Sequence, residues 1–158
     1  MLILWIAIVN LNLPNAKTIG INSLRNCLSL VNLNLPNATS IEDYAIYNCI
    51  SLIFLDLPAV KGIGRQSLQN CLSLVNLNSP NATSIGSNAF QNCASLTTLK
   101  LGASQVATLE STSAFKNTPI SKCVGYIYVP DELVEDYKVA TNWSVYADQI
   151  RPMSECEE

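Results

Sequence analysis

Residues 31–52 read Val-Asn-Leu-Asn-Leu-Pro-Asn-Ala-Thr-Ser-Ile-Glu-Asp-Tyr-Ala-Ile-Tyr-Asn-Cys-Ile-Ser-Leu. The first five alternate apolar and polar side chains, the two-residue period of a strand with one buried face. Pro36 cannot donate to a continuing ladder and closes the strand, and the Asn, Ala and Thr that follow supply turn chemistry. The same unit stands on both sides of this stretch, at 9–30, 53–74 and 75–96. Pro14, Pro36, Pro58 and Pro80 recur every 22 residues, and so do Cys27, Cys49, Cys71 and Cys93.

Further columns follow from the same alignment. Ile19, Ile41, Ile63 and Ile85 form one apolar column, and Leu24, Ile46, Leu68 and Phe90 form another; both are expected to point inward. Ser23, Ala45, Ser67 and Ala89 keep the neighbouring position small, where one coil lies close against the next. No single unit can bury its apolar side alone, so stacking must provide the core.

A period of 22 falls inside the window of leucine-rich repeats. The expected fold is an α/β-type repeat, a leucine-rich-repeat solenoid of about five 22-residue rungs. Each rung has one parallel strand, and a small helical cap closes the C-terminal end. At about 4.8 Å per rung the stack is only about 20–25 Å long. The fifth unit, from Thr97, is imperfect: Gly102 replaces the proline, and Ala114-Phe115 arrives three residues late.

The organisation expected is a solenoid over 1–125, with 1–8 a degenerate or truncated rung, a cap over 126–150 and a tail over 151–158. In the cap, Val129-Pro130-Asp131 reads as a stop and an N-cap before the helical pattern Leu133, Val134, Tyr137, Ala140. A short second helix is expected from Asn142. The tail reads as a frayed end or the start of a linker. The apolar opening Met1–Val9 has neither a basic n-region nor a small-residue cleavage site, so no signal peptide is evident, and it is too short to span a bilayer. An apolar N-terminal rung predicts end-to-end self-association.

The chain is 49% hydrophobic and only 13% charged, so Asn, Ser and Thr must dress much of its surface. Residues 1–130 carry seven Lys/Arg against four Asp/Glu, and residues 131–158 two against eight. A surplus of three cations without a cluster is far below the electrostatic footprint of nucleic-acid binding.

The residues resemble the BspA-type leucine-rich repeats, whose unit runs Leu-x-x-Leu-x-Leu-Pro, an Ile-Gly step, then Ala-Phe-x-x-Cys. Ser84-Ile-Gly-Ser-Asn-Ala-Phe-Gln-Asn-Cys93 carries the likeness best, which extends over about residues 9–123. Ile127–Ile150 resembles the segment that often closes such arrays. Leu24, Ile46 and Leu68 depart from the usual Phe, and Glu42 from the usual Gly. The resemblance implies a cell-surface or secreted protein engaged in adhesion or protein contact, with no active site.

Chemistry is sparse. With no histidine, the commonest general base and metal ligand are missing. Thiols spaced along a ladder all aim the same way, which suits neither tetrahedral zinc nor disulfide geometry, so Cys27, Cys49, Cys71 and Cys93 are expected as buried thiols. Cys123 and Cys156 could bridge if the tail folds back. Asn26, Asn48, Asn70 and Asn92 are expected to satisfy backbone groups in the turns. Asn37-Ala-Thr, Asn81-Ala-Thr and Asn142-Trp-Ser fit the glycosylation acceptor pattern. No catalytic residue, cofactor or metal ligand is expected.

The alternation nominates a binding face. If Val31, Leu33 and Leu35 point inward, two columns point outward: Asn10, Asn32, Phe54, Asn76, Thr98 and Asn12, Asn34, Asp56, Asn78, Lys100. Asn32, Asn34, Phe54, Asp56, Asn76, Asn78, Thr98 and Lys100 are the candidate contact residues on a concave sheet, with Phe54 as the aromatic anchor. The expected function is binding of a protein or glycan. A structural spacer within a longer repeat array is the alternative reading.

Overall fold

A computed structural model describes residues 8–156. Each rung contributes three sides to a stack. The front side carries three-residue strands: β1 (Asn10–Asn12), β3 (Asn32–Asn34), β5 (Phe54–Asp56), β7 (Asn76–Asn78) and β9 (Thr98–Lys100). The second side carries two-residue strands: β2 (Thr18–Ile19), β4 (Ser40–Ile41), β6 (Gly62–Ile63), β8 (Ser84–Ile85) and β10 (Thr108–Leu109). All strand pairs are parallel, and through β9 on the front side and β8 on the second, partners lie 22 residues apart, as in Asn10↔Asn32 and Ile41↔Ile63.

The third side is a stack of turns with its own hydrogen-bond logic. The N–H groups of Asn22, Leu24 and Asn26 donate to the carbonyls of Asp43, Ala45 and Tyr47 in the next rung, at 3.4, 2.8 and 2.9 Å. The intervening N–H groups of Ser23, Arg25 and Cys27 donate back within their own rung, to Gly20, Asn22 and Leu24. This alternation requires alternating backbone hands. Asn22, Asn26, Tyr44, Asn48, Gln66, Asn70, Asn88 and Asn92 all have φ between 52° and 64°. Asparagine tolerates the left-handed region better than other residues with a Cβ, which explains much of its recurrence here.

That observation corrects the expected role of the Asn26 column. Its amides do not satisfy turn backbone; they bond to one another. Asn48 Nδ2 donates to Asn26 Oδ1 at 3.0 Å, Asn92 to Asn70 at 2.8 Å and Asn117 to Asn92 at 2.8 Å, while Asn70 donates to the Tyr47 hydroxyl at 3.1 Å. Backbone is instead satisfied by the Asn-Ala-Thr turns: Asn37 and Asn81 donate to the carbonyls of Pro14 and Pro58 at 2.8 and 2.7 Å. Asn142 donates likewise to Leu109 O at 2.8 Å. The nitrogen a glycan would have to join is therefore engaged in the fold at all three acceptor motifs.

The core lies between the three sides. Leu33, Leu55, Leu77, Leu99 and Ile127 form one buried column, the Ile19 and Leu24 columns are buried as expected, and Ala45, Ser67 and Ala89 fill the close-approach position. Gly64 and Gly86 stand where Glu42 stands one rung earlier; a Cβ at either glycine would lie 2.6 Å from neighbouring backbone. Glu42 occupies the position with its carboxylate accepting the N–H of Ile21 at 3.0 Å. Cys49, Cys71 and Cys93 are fully buried and donate Sγ–H to the carbonyls of Leu24, Ile46 and Leu68 at 3.1–3.3 Å. Burial pushes all four thiols of the column upward, Cys93 to about 12.

Beyond Lys100 the period lengthens. β8 pairs with β10 at a spacing of 24, and β9 pairs with β11 (Tyr126–Val129) at 28. Past residue 125, β11 continues the front sheet. β12 (Ile150–Pro152) pairs with β11 in turn, so Arg151 and Pro152 belong to a sheet strand where a frayed end was expected from residue 151. Between them lie the helix α1 (Val134–Val139) and a 3₁₀ segment, Ser144–Gln149, where a second short helix was expected. Asp131 does not cap the helix; its carboxylate accepts the N–H of Ser154 at 3.0 Å and ties down the tail, and that hydrogen bond lowers its pKa.

Aromatic side chains hold this C-terminal part to the last rung. Trp143 is fully buried and donates Nε1–H to Ala107 O at 2.6 Å, while the Tyr137 hydroxyl accepts Ala107 N–H at 3.0 Å. Phe115 stacks on Phe90 at 5.3 Å and meets the edge of Tyr146 at 5.1 Å. The expected self-association through residues 1–7 lies outside the described residues.

Candidate binding site on the strand face

The alternation of the front strands does set the two columns outward. Asn32, Asn34, Phe54, Asp56 and Asn76 are exposed, and Asn78, Thr98 and Lys100 are half-buried, while the leucines between them are buried. These eight residues share one face but not one environment.

In the first two rungs the outward amides satisfy each other: Asn32 Nδ2 donates to Asn10 Oδ1 at 2.6 Å, and Asn34 Nδ2 to Asn12 Oδ1 at 2.8 Å. The sheet ladder then breaks, with β1–β3 forming one sheet and β5, β7, β9, β11 and β12 another. Phe54 stands at that break and is 53% exposed, a large apolar surface to leave in water. Beyond it the second column keeps one amide link, Asn78 Nδ2 to Asp56 Oδ1 at 2.8 Å. Among the described residues, the Asn76 amide, the Thr98 hydroxyl and the Lys100 ammonium have no side-chain partner.

These groups line a cleft of about 640 Å³, bounded by Phe54, Asn76, Leu77, Asn78, Thr98, Lys100, Tyr128, Glu155 and Cys156. A smaller depression of about 290 Å³ on the other side of Phe54 is lined by Asn10, Asn12, Asn32 and Asn34 with Leu11 and Leu33. Phe54 borders both. Phe54, the expected anchor, thus stands between Asn32 and Asn34 on one side and Asn76, Asn78, Thr98 and Lys100 on the other.

The far wall of the cleft was missed from sequence. Tyr126-Ile127-Tyr128 repeats the outward–inward–outward order of Asn-Leu-Asn, and its register with Thr98, Leu99 and Lys100 puts Tyr126 and Tyr128 at the ends of the two outward columns. The two tyrosine rings lie 6.3 Å apart, and the Arg151 guanidinium sits 4.9 Å from the Tyr126 ring centre, a cation–π contact. Burial raises the Tyr128 phenol, so it stays protonated and able to donate at neutral pH. The turn Met153–Glu155 then brings Glu155 and Cys156 to the cleft.

Cys123 precedes β11 and Cys156 follows β12, so in two parallel strands they fall at opposite ends and form no bridge. Among the described residues no three His, Cys, Asp or Glu side chains gather to hold a metal ion, and no helix is long and apolar enough to cross a membrane.

A family model described as the BspA type leucine rich repeat region matches residues 5–125 in six copies. The chain belongs to the BspA-type leucine-rich repeat family. Among curated proteins none matches it. Membership accounts for the parallel rungs, the Ile-Gly step and the cysteine column. The aromatic wall of the cleft, in Tyr126, Tyr128 and the tail, lies outside the matched residues.

Proposed function

We propose that this BspA-type repeat module is a non-catalytic binding module of a cell-surface or secreted protein, and that it takes its protein or glycan ligand on the front face between Phe54 and Tyr128. The observation that carries the reading is the contrast along the face. Amides of the first two rungs are mutually satisfied, whereas Asn76, Thr98 and Lys100 line a cleft of about 640 Å³ beside an exposed phenylalanine. Polar groups without partners and an exposed aromatic ring both gain from a ligand that covers them.

The test is a screen of the purified chain against host matrix proteins and glycan arrays, with the Phe54→Ala/Asp56→Ala double variant in parallel. Binding that falls at least tenfold in the double variant supports the reading. Binding unchanged by the substitutions, or silence across the screen, rejects it, and silence favours a structural spacer within a longer array.

A further inference from the structure

Resting on that reading, we infer that the cleft between Phe54 and Tyr128 is a subsite for a neutral oligosaccharide of three or more sugar rings laid across the rungs. Four features select this chemistry.

First, the face offers only side chains. The backbone N–H and C=O groups of β7, β9 and β11 are committed to the parallel ladder on both sides; β5, unpaired on its other side, has β3 lying against that edge, and β12, at the opposite edge, ends in Pro152, which has no N–H. A polypeptide that pairs as an added strand needs a free edge with donors, and the cleft does not supply one. Second, the polar lining consists of amides and hydroxyls at Asn76, Asn78, Thr98 and Tyr128. Each is donor and acceptor at once, and so is every sugar hydroxyl, so pairs form whichever way the hydroxyl rotates.

Third, the charges cancel. Lys100 and Glu155 contribute one ammonium and one carboxylate to the lining, which leaves no field to select a polyanion or polycation. Fourth, aromatic rings stand at both ends. The electron-rich face of a phenyl ring attracts the positively polarised C–H face of a sugar, and Phe54 on β5 and Tyr128 on β11 are three rungs apart, about 14 Å along the stack. The rung spacing of about 4.8 Å is close to the length of one pyranose ring, so successive sugars meet successive rungs.

The experiment is a calorimetric and NMR titration of the full chain with maltotetraose, cellotetraose and chitotetraose, and with glucose and N-acetylglucosamine as single-ring controls. A neutral-glycan array runs beside it. At least one tetrasaccharide is expected to bind ten times or more tightly than its own monosaccharide, because a single ring cannot reach both aromatics. Phe54→Ala and Tyr128→Ala should each weaken it tenfold or more, with unchanged far-UV circular dichroism and thermal midpoint. Lys61→Ala, exposed and away from the cleft, should bind normally.

Sugar binding indifferent to both aromatic substitutions, or equal for one ring and four, overturns the inference. If no neutral glycan binds while a protein from the screen binds in a Phe54-dependent way, the oligosaccharide assignment falls and the front-face reading stands. If nothing binds, both fall.

Discussion

The repeat body, from Asn10 to Leu101, and the C-terminal part that follows are stabilised in different ways. In the body most contacts recur at 22 residues: leucine above leucine, thiol to the preceding rung's carbonyl and, from Asn48 and Asn92, asparagine to asparagine. In the C-terminal part β11 and Asn117 still continue the stack, but the contacts that close it do not repeat. Trp143, Tyr137, Tyr146 and Asn142 reach back 30 to 36 residues to four different atoms of the last rung. A stack of nearest-neighbour contacts distributes stability evenly, so one defect costs little elsewhere, whereas a closure built on one aromatic cluster concentrates it.

The largest effect should come from removing the centre of that cluster. Trp143→Ala is expected to cost about 3–5 kcal/mol, since it empties a fully buried site and leaves Ala107 O without its donor. Chemical denaturation checks this. If the closure is as concentrated as described, hydrogen exchange in the variant should accelerate over residues 103–156 while rungs 32–78 keep most of their protection; uniform acceleration would break the comparison.

The cysteine column tests the body next. Its thiols are held neutral by burial, and Cys93 is raised to about 12, whereas unfolded cysteine ionises near about 8.5. The folded pKa is the higher one, so this contribution is whole below about pH 8.5 and is lost as pH rises from there towards 12. Unfolding free energy should therefore fall across that alkaline window. Cys71→Ala and Cys93→Ala should each flatten the slope, and native thiol titration below pH 8 should modify Cys123 far faster than the column.

Ser67 offers a smaller and opposite effect. Its hydroxyl is buried without a partner, at a position where the neighbouring rungs carry Ala45 and Ala89. Ser67→Ala should raise stability by up to about 1 kcal/mol, measured as a shift of the denaturation midpoint.

The smallest expected effect lies where the two regions meet on the surface. Arg65 Nε donates to both Glu110 oxygens, at 2.8 and 2.9 Å, and Glu110 also accepts Ser87 N–H at 2.8 Å. The hydrogen bond from Arg65, before all other causes, lowers the Glu110 carboxyl to about 2. This contribution is present above the ordinary carboxylate range and is lost as pH falls towards 2. Glu110→Gln should leave the midpoint nearly unchanged at pH 7, because the pair is exposed and screened, and should reduce the acid dependence between pH 5 and 2.

The body was legible because its physics is translational. Once Pro36 and Cys49 recur at 22, the alternation in Val31-Asn32-Leu33-Asn34-Leu35 fixes which side chains face in, and parallel stacking fixes their neighbours. Two things escaped that logic. The left-handed turns at Tyr44 and Gln66 carry no glycine to announce them, since inter-rung hydrogen bonds impose a backbone hand that neither residue prefers. The cleft wall escaped because β11 returns to the front sheet after 28 residues and not 22, so Tyr126 and Tyr128 looked like part of a helical cap and not like the next Asn-Leu-Asn. The outward orientation of the columns from Asn32 to Lys100 was legible in the alternation; their division at Phe54 depends on hydrogen bonds between side chains, which a pattern of polarity does not encode.

On the turn side, the N–H groups that link one rung to the next point the same way, from Asn22, Leu24 and Asn26 towards Asp43, Ala45 and Tyr47, and again in each rung to Asn92 and Lys116. Peptide dipoles so aligned add along the axis of the stack, and their positive ends face the C-terminal side. Among the described residues, those from 131 onward follow the last rung and carry six acidic side chains against Lys138 and Arg151. The turn side therefore gives a nearly uncharged solenoid a direction: its positive end faces the side on which the acidic closing segment follows.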